Sequence, residues 1–117
     1  NHATPFSPDR IVPAKPFLLL SATVGSQALA AVDCLTAAVY YEAGNEPLNG
    51  QRAVAQVVLN RVRHPAFPAS VCAVVFEGAT RATGCQFTFT CDGSLMRAPT
   101  AAGWKRAQAV AIAALSG

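Results

Sequence analysis

The 117 residues carry nine Lys and Arg against six Asp and Glu, a formal net charge of +3, with 52% hydrophobic and 13% charged residues. That length suits one domain around one core, and that balance excludes a disordered tail. The mild positive charge is too sparse for the basic stripe of a nucleic-acid binder, and no apolar run reaches the ~18 residues of a membrane span.

Four cysteines stand at positions 34, 72, 85 and 91. None share CxxC spacing, and only His2 and His64 could complete a ligand set, so neither a structural zinc site nor another metal or cofactor is expected. An even cysteine count in a short chain predicts disulfides and an oxidising compartment. All three pairings of four cysteines stay open. The start lacks a basic stretch followed by an apolar one, which fits a mature secreted form that has lost its leader.

In chain order, Pro5, Pro8 and Pro13 predict an extended arm up to about residue 15, because proline fixes φ and removes a backbone donor. Residues 16–31 are small and apolar and fit a short helix weakened by Gly25. Asp33 is a plausible N-cap for the next helix. Leu35, Ala38 and Val39 give that helix one buried face, with Glu42 one turn further along the Leu35/Val39 side. Gly44-Asn45 should end it in the left-handed region. A second helix is predicted from about Pro47 to Arg63, with Val54, Val57, Val58, Arg61 and Val62 along one side. His64-Pro65 stops it, because the residue before proline avoids the α region. Residues 70–77 fit helix or strand, and 78–84 read as a loop. Gln86 to Thr90 alternates with period two, the pattern of a half-buried strand, and Asp92-Gly93 is a turn signal. A last helix follows Thr100, with Trp104, Ala107, Ala111 and Ala114 at helical spacing. The fold class is mainly α, with a small β element.

Glu42 is the candidate for chemistry. Breaking a glycosidic bond needs a proton donor for the leaving oxygen, and a carboxylic acid serves when partial burial raises its pKa. Glu42 follows Tyr40 and Tyr41 at the end of an apolar helix and precedes a Gly-Asn loop, a place that can open on a cleft. The bland alternative is a solvated Glu in a last helical turn, though a helix C-terminus disfavours a carboxylate there. Glu46 and Asp92 are the nearby candidates for a second carboxylate. Glu46 also suits the N-terminus of the helix after Pro47, and Asp92 also suits a turn. Gln86, Phe87 and Phe89 could form a sugar-binding wall, with the amide of Gln86 on the other strand face from the two rings. Trp104 reads as core, and His64 as a polar residue at a helix end.

Three ordered blocks then carry a resemblance. Cys34-Leu-Thr-Ala-Ala-Val-Tyr-Tyr-Glu-Ala, Glu46-Pro-Leu-Asn-Gly-Gln and Ala53-Val-Ala-Gln-Val-Val-Leu-Asn-Arg-Val together resemble the spore-cortex-lytic (SleB-like) cell-wall hydrolases. Phe67-Pro-Ala-Ser-Val-Cys and Cys85-Gln-Phe-Thr-Phe-Thr-Cys-Asp-Gly look like the same family in its proteobacterial form. The resemblance covers about 34–115. It implies a lysozyme-like helical domain with a small β hairpin, and a periplasmic or extracellular protein whose partner is the peptidoglycan glycan strand. It implies cleavage between N-acetylmuramic acid and N-acetylglucosamine, of the lytic transglycosylase type, with Glu42 as the single general acid/base. Tyr41, Glu46, Gln51, Gln86 and Phe87 are the residues expected on the substrate. The alternatives are a hydrolysing muramidase or glucosaminidase, and a catalytically silent wall-binding domain. On this reading residues 1–31 are an arm with a short helix. Residues 32–117 are the hydrolase domain, expected to lack the aromatic- and His-containing segment with which family domains continue.

Overall fold

The computed structural model describes residues 22–79 and 84–117. The expected proline-rich arm and part of the 78–84 loop lie outside the described residues.

Helix α1 spans Ala22–Ala43. Asp33, expected to cap a helix starting there, instead sits exposed in its middle. The alanines at 28, 30, 31, 37 and 38 belong to the best helix formers, and an exposed Asp in mid-helix costs only a few tenths of a kcal/mol, roughly, against that run. The helix therefore runs through 22–33 and on to Ala43. Ala31, Leu35, Ala38 and Val39 form its buried face. Thr36 is also buried, and its hydroxyl is satisfied by donating to the Val32 carbonyl at 2.6 Å.

The end of α1 falls at Gly44-Asn45 as expected, but with a different backbone conformation at Gly44. Gly44 N–H donates to the Tyr40 carbonyl (2.9 Å) and Glu46 N–H to the Ala43 carbonyl (2.9 Å). The glycines with positive φ are Gly78, Gly84 and Gly93, so Gly44 closes the helix without entering the left-handed region.

Helix α2 spans Leu48–Arg63, with Pro47 at its N-cap and His64 at its C-cap, as Pro47 and His64-Pro65 predict. Its buried stripe is Gln51, Ala55, Val58, Leu59 and Val62. Val57, placed on the buried side by the sequence, is 40% exposed. One residue step turns a helix by roughly 100°, enough to carry Val57 from beside Val58 into solvent.

Within residues 70–77 a short helix forms, not a strand. Helix α3 spans Val71–Val75, capped by the Ser70 hydroxyl, which accepts from Ala73 N–H at 3.1 Å. A disulfide joins Cys34 of α1 to Cys72 of α3. Helix α4 spans Ala101–Ser116 and starts at the predicted Thr100, whose hydroxyl accepts from Gly103 N–H at 3.1 Å. Helix α1 is the centre of the fold, packing most extensively on α4, then on α2 and α3. Ala38 on α1 and Ala107 and Ala111 on α4, all fully buried, are small enough for close helix approach. Burying a Leu35, Val39 or Val58 side chain is worth about 1.5–3 kcal/mol each relative to exposure.

The predicted strand is absent. Thr88–Thr90 forms a 3-10 turn, and no strand occurs among the described residues, so neither does the small β hairpin. Thr90 N–H and its hydroxyl both bond the Phe87 carbonyl, at 3.1 and 2.8 Å, and a disulfide closes Cys85 onto Cys91. These local bonds satisfy the backbone that a partner strand would otherwise serve. Phe87 and Phe89 are both buried nonetheless, as their alternation suggests.

Candidate active site

A groove of about 620 Å³ opens where the end of α1 meets the start of α4. Tyr40 sets that meeting. Its hydroxyl accepts from Thr100 N–H at 3.0 Å, and its ring lies 5.8 Å from that of Trp104. Gly103 makes the approach feasible: a Cβ there would lie 2.9 Å from the Tyr40 ring. Tyr41 fixes the segment after the second disulfide. Its ring stacks on Phe89 (5.1 Å, 11°), and its hydroxyl donates to the Arg97 carbonyl at 3.1 Å.

Glu42 lines this groove from the last turn of α1. Its side chain reaches solvent, but partial burial desolvates the carboxyl and pushes its pKa above the ordinary glutamate value; the Asp92 carboxylate raises it further. Asp92 itself is held below the usual aspartate range, first by hydrogen bonds from the Ser94 hydroxyl and backbone and then by Arg97. The Ser94 N–H bond is 2.8 Å long and belongs to the turn that Gly93 completes with φ +91. The two carboxyls are thus pushed apart, one toward the acid and one toward the anion. Such a pair can divide proton donation from charge stabilisation.

The other sequence-predicted residues separate into two sets. Tyr41 and Glu46 line the groove with Glu42. The Glu46 carboxylate lies over Gly50 in the first turn of α2, at the helix N-terminus. Gln51, Gln86 and Phe87 are not brought to the groove. Gln51 is fully buried beneath it, and its amide donates to the Ala43 and Gly44 carbonyls at 3.2 and 3.4 Å, holding the end of α1. Gln86 accepts from Arg61 at 2.8 Å. Arg61 also stands 5.5 Å from the ring centres of Phe67 and Phe87, which explains a cation on the inner side of α2. Phe87 is therefore core. Gln86 and Phe87 stay off the groove because the 85–91 segment turns inward on its disulfide, and Gln51 because it lies on the buried face of α2.

Arg97, Thr100, Gly103 and Arg106 are groove residues that the sequence did not single out. Arg106 donates to the Gly44 carbonyl at 2.6 Å, a cation on the C-terminal carbonyls of α1. Its one signal was the i, i+3 spacing from Gly103 on a helix that starts at Thr100. Among the described residues no cluster of His, Cys, Asp and Glu could hold a metal, all four cysteines are in disulfides, and no helix is long and apolar enough to cross a membrane.

The chain is similar in sequence to known proteins. The spore cortex-lytic enzyme of Bacillus subtilis (strain 168) is 45% identical over 65 residues, 56% of this chain and 19% of that protein. Those of Halalkalibacterium halodurans and Oceanobacillus iheyensis are 41% and 40% identical over 68 residues, 58% of this chain and 19% and 22% of theirs. The chain thus spans about a fifth of these relatives' length. No solved structure matches it significantly. The family model described as Cell Wall Hydrolase matches residues 45–117, beginning three residues after Glu42. That match takes in more than half of the sequence, and the chain belongs to the cell wall hydrolase family.

Proposed function

We propose that this chain, in the protein it serves, cleaves peptidoglycan glycan strands outside the cytoplasm, with Glu42 as the general acid/base and a lysozyme-like arrangement of helices around it. The observation that carries the reading is a glutamate whose carboxyl is biased toward its protonated form at the edge of a groove. In the lytic transglycosylase form, Glu42 gives its proton to the glycosidic oxygen as the bond to C1 of N-acetylmuramic acid breaks. The carboxylate so formed takes the proton of that sugar's 6-hydroxyl as the oxygen closes on C1. Glu42 ends protonated, no water is consumed, and the products are a 1,6-anhydromuramic end and a free hydroxyl on N-acetylglucosamine. Tyr41 and Glu46 are the neighbouring groups on the strand.

Asp92 favours a second reading, because a carboxylate that acts on Glu42 electrostatically could also activate water. Hydrolysis would then leave reducing ends. Mass spectrometry of digested sacculi separates the two: anhydro ends for the first, reducing ends for the second. Glu42→Gln should lower fragment release by ~10²–10⁴-fold while the protein still pulls down with sacculi. Full turnover by Glu42→Gln would sink the assignment. Wild-type binding to sacculi with no fragments released would mark a wall-binding domain instead.

A further inference from the structure

The groove is not electrostatically uniform. The end of α1 and the loop after it supply Glu42 and Glu46, while α4 and the segment before it supply Arg97 and Arg106. Arg106 is oriented by its single short bond to the Gly44 carbonyl, which occupies one of its five N–H donors. The Arg97 backbone is fixed by the Tyr41 hydroxyl on its carbonyl, and among the described residues its guanidinium makes no hydrogen bond. Asp92 faces Arg97, but its carboxylate is engaged by Ser94 and does not line the groove. The N-terminal turn of α4, with Thr100, Ala102 and Gly103 on the groove, adds the positive end of a 16-residue helix on the same side.

Two guanidiniums with donors to spare beside a helix N-terminus suit a planar anion. A glycan of neutral sugars alone would leave them unmatched. We infer that Arg97 and Arg106 form a carboxylate-reading subsite beside Glu42, and that it selects strands whose sugar bears an acidic substituent. The substituent is either the lactyl carboxylate of N-acetylmuramic acid or a carboxylate of a peptide attached to it. The inference rests on the peptidoglycan reading for its substrate class, and concerns binding, not bond cleavage.

The test is therefore a binding measurement that does not depend on turnover. N-acetylglucosamine and N-acetylmuramic acid, as methyl glycosides, differ by the lactyl group alone. Titrated by NMR at low salt, the muramic sugar should bind about five- to tenfold tighter, the scale of one charge-assisted hydrogen bond at an exposed site. Its shifts should centre on the side-chain N–H of Arg97 and Arg106 and the amides of 100–103. Arg97→Gln and Arg106→Gln should each erase most of the preference, and Arg63→Gln, at the far end of α2, should leave it intact. N-acetylmuramoyl-L-Ala-D-Glu then locates the carboxylate: tighter binding than the sugar places it in the peptide, weaker binding in the lactyl group. Equal affinity for the two sugars, or a preference that survives both arginine variants, overturns the subsite. Failure to cleave sacculi overturns the proposed reaction and leaves this measurement standing.

Discussion

The two disulfides sit in regions built on different principles. Cys34–Cys72 ties α1 to α3 across 38 residues of sequence, inside a helical core where Leu35, Val39, Val58 and Val74 are fully buried. Cys85–Cys91 closes a ring with a separation of six, in a segment of turns that a few side chains fasten to the helices. Those fasteners include the buried Phe87 and Phe89 rings, the Tyr41–Phe89 stack, Arg61 on Gln86 and Phe87, and the Tyr41–Arg97 hydrogen bond. The helical region is redundant, so no one contact decides its shape. The 85–97 segment is not, yet it carries Arg97 to the groove and Asp92 close enough to act on Glu42. The position of one wall of the site thus rests on fewer interactions than the fold as a whole.

Removing the disulfides one at a time breaks the comparison most forcefully. In the chain-entropy picture the larger ring contributes about 4 kcal/mol and the smaller about 2 kcal/mol. Cys34→Ala/Cys72→Ala should therefore lower the urea-unfolding free energy by roughly twice as much as Cys85→Ala/Cys91→Ala. Fragment release from sacculi, measured where both variants remain folded, should show the opposite order, because only the small ring adjoins Asp92. Hydrogen exchange should rise around 85–97 in the second variant and across α1 and α3 in the first. Equal losses of stability would mean that the segment is as integral to the core as the helices.

The same contrast explains what the sequence makes legible. Helices α2 and α4 are readable because their limits are local: Pro47 and His64-Pro65 for one, Thr100 for the other. Asp33 misleads because a cap residue signals a helix start only where nothing helical precedes it, and here Ala28 to Ala31 precede it. Gln86–Thr90 misleads because two buried rings with one exposed Thr between them fit a strand and a tight turn alike. What separates the two is the ring closed by Cys85 and Cys91, and no spacing rule chose that pairing. In the site, Glu42, Tyr41 and Glu46 are near in sequence and form one block. Arg97, Thr100 and Arg106 join that block at Tyr41, Tyr40 and Gly44, across separations of 56, 60 and 62 residues, which no local pattern encodes.

Tyr41 joins the two regions, so a small change there should sharpen the comparison. Tyr41→Phe keeps the stack on Phe89 and deletes only the hydroxyl bond to the Arg97 carbonyl. An exposed hydrogen bond of this kind contributes at most about 1 kcal/mol, so global stability should fall by no more than that. The activity on sacculi should fall several-fold even so, since Arg97 loses its backbone anchor. A variant with unchanged activity would show that the stack alone holds this wall.

The smallest expected effect crosses the groove by charge alone. Glu42 has its pKa raised first by burial and second by Asp92, so Asp92→Asn should lower it without returning it to the ordinary glutamate value. A general acid works while protonated, so kcat/KM falls as pH rises through that pKa, and the alkaline limb should move to lower pH in Asp92→Asn. The stability linkage has the same origin. A carboxyl whose folded pKa exceeds its unfolded one contributes its full stability below the unfolded value, and loses it as pH rises through the folded value. The ionised form of Glu42 therefore opposes folding, and Glu42→Gln should gain slightly on wild type in urea as pH rises, with the gain vanishing in acid. A Glu42→Gln that instead loses on wild type as pH rises would mean that the carboxylate is stabilised by the fold, contrary to the direction its burial and Asp92 impose.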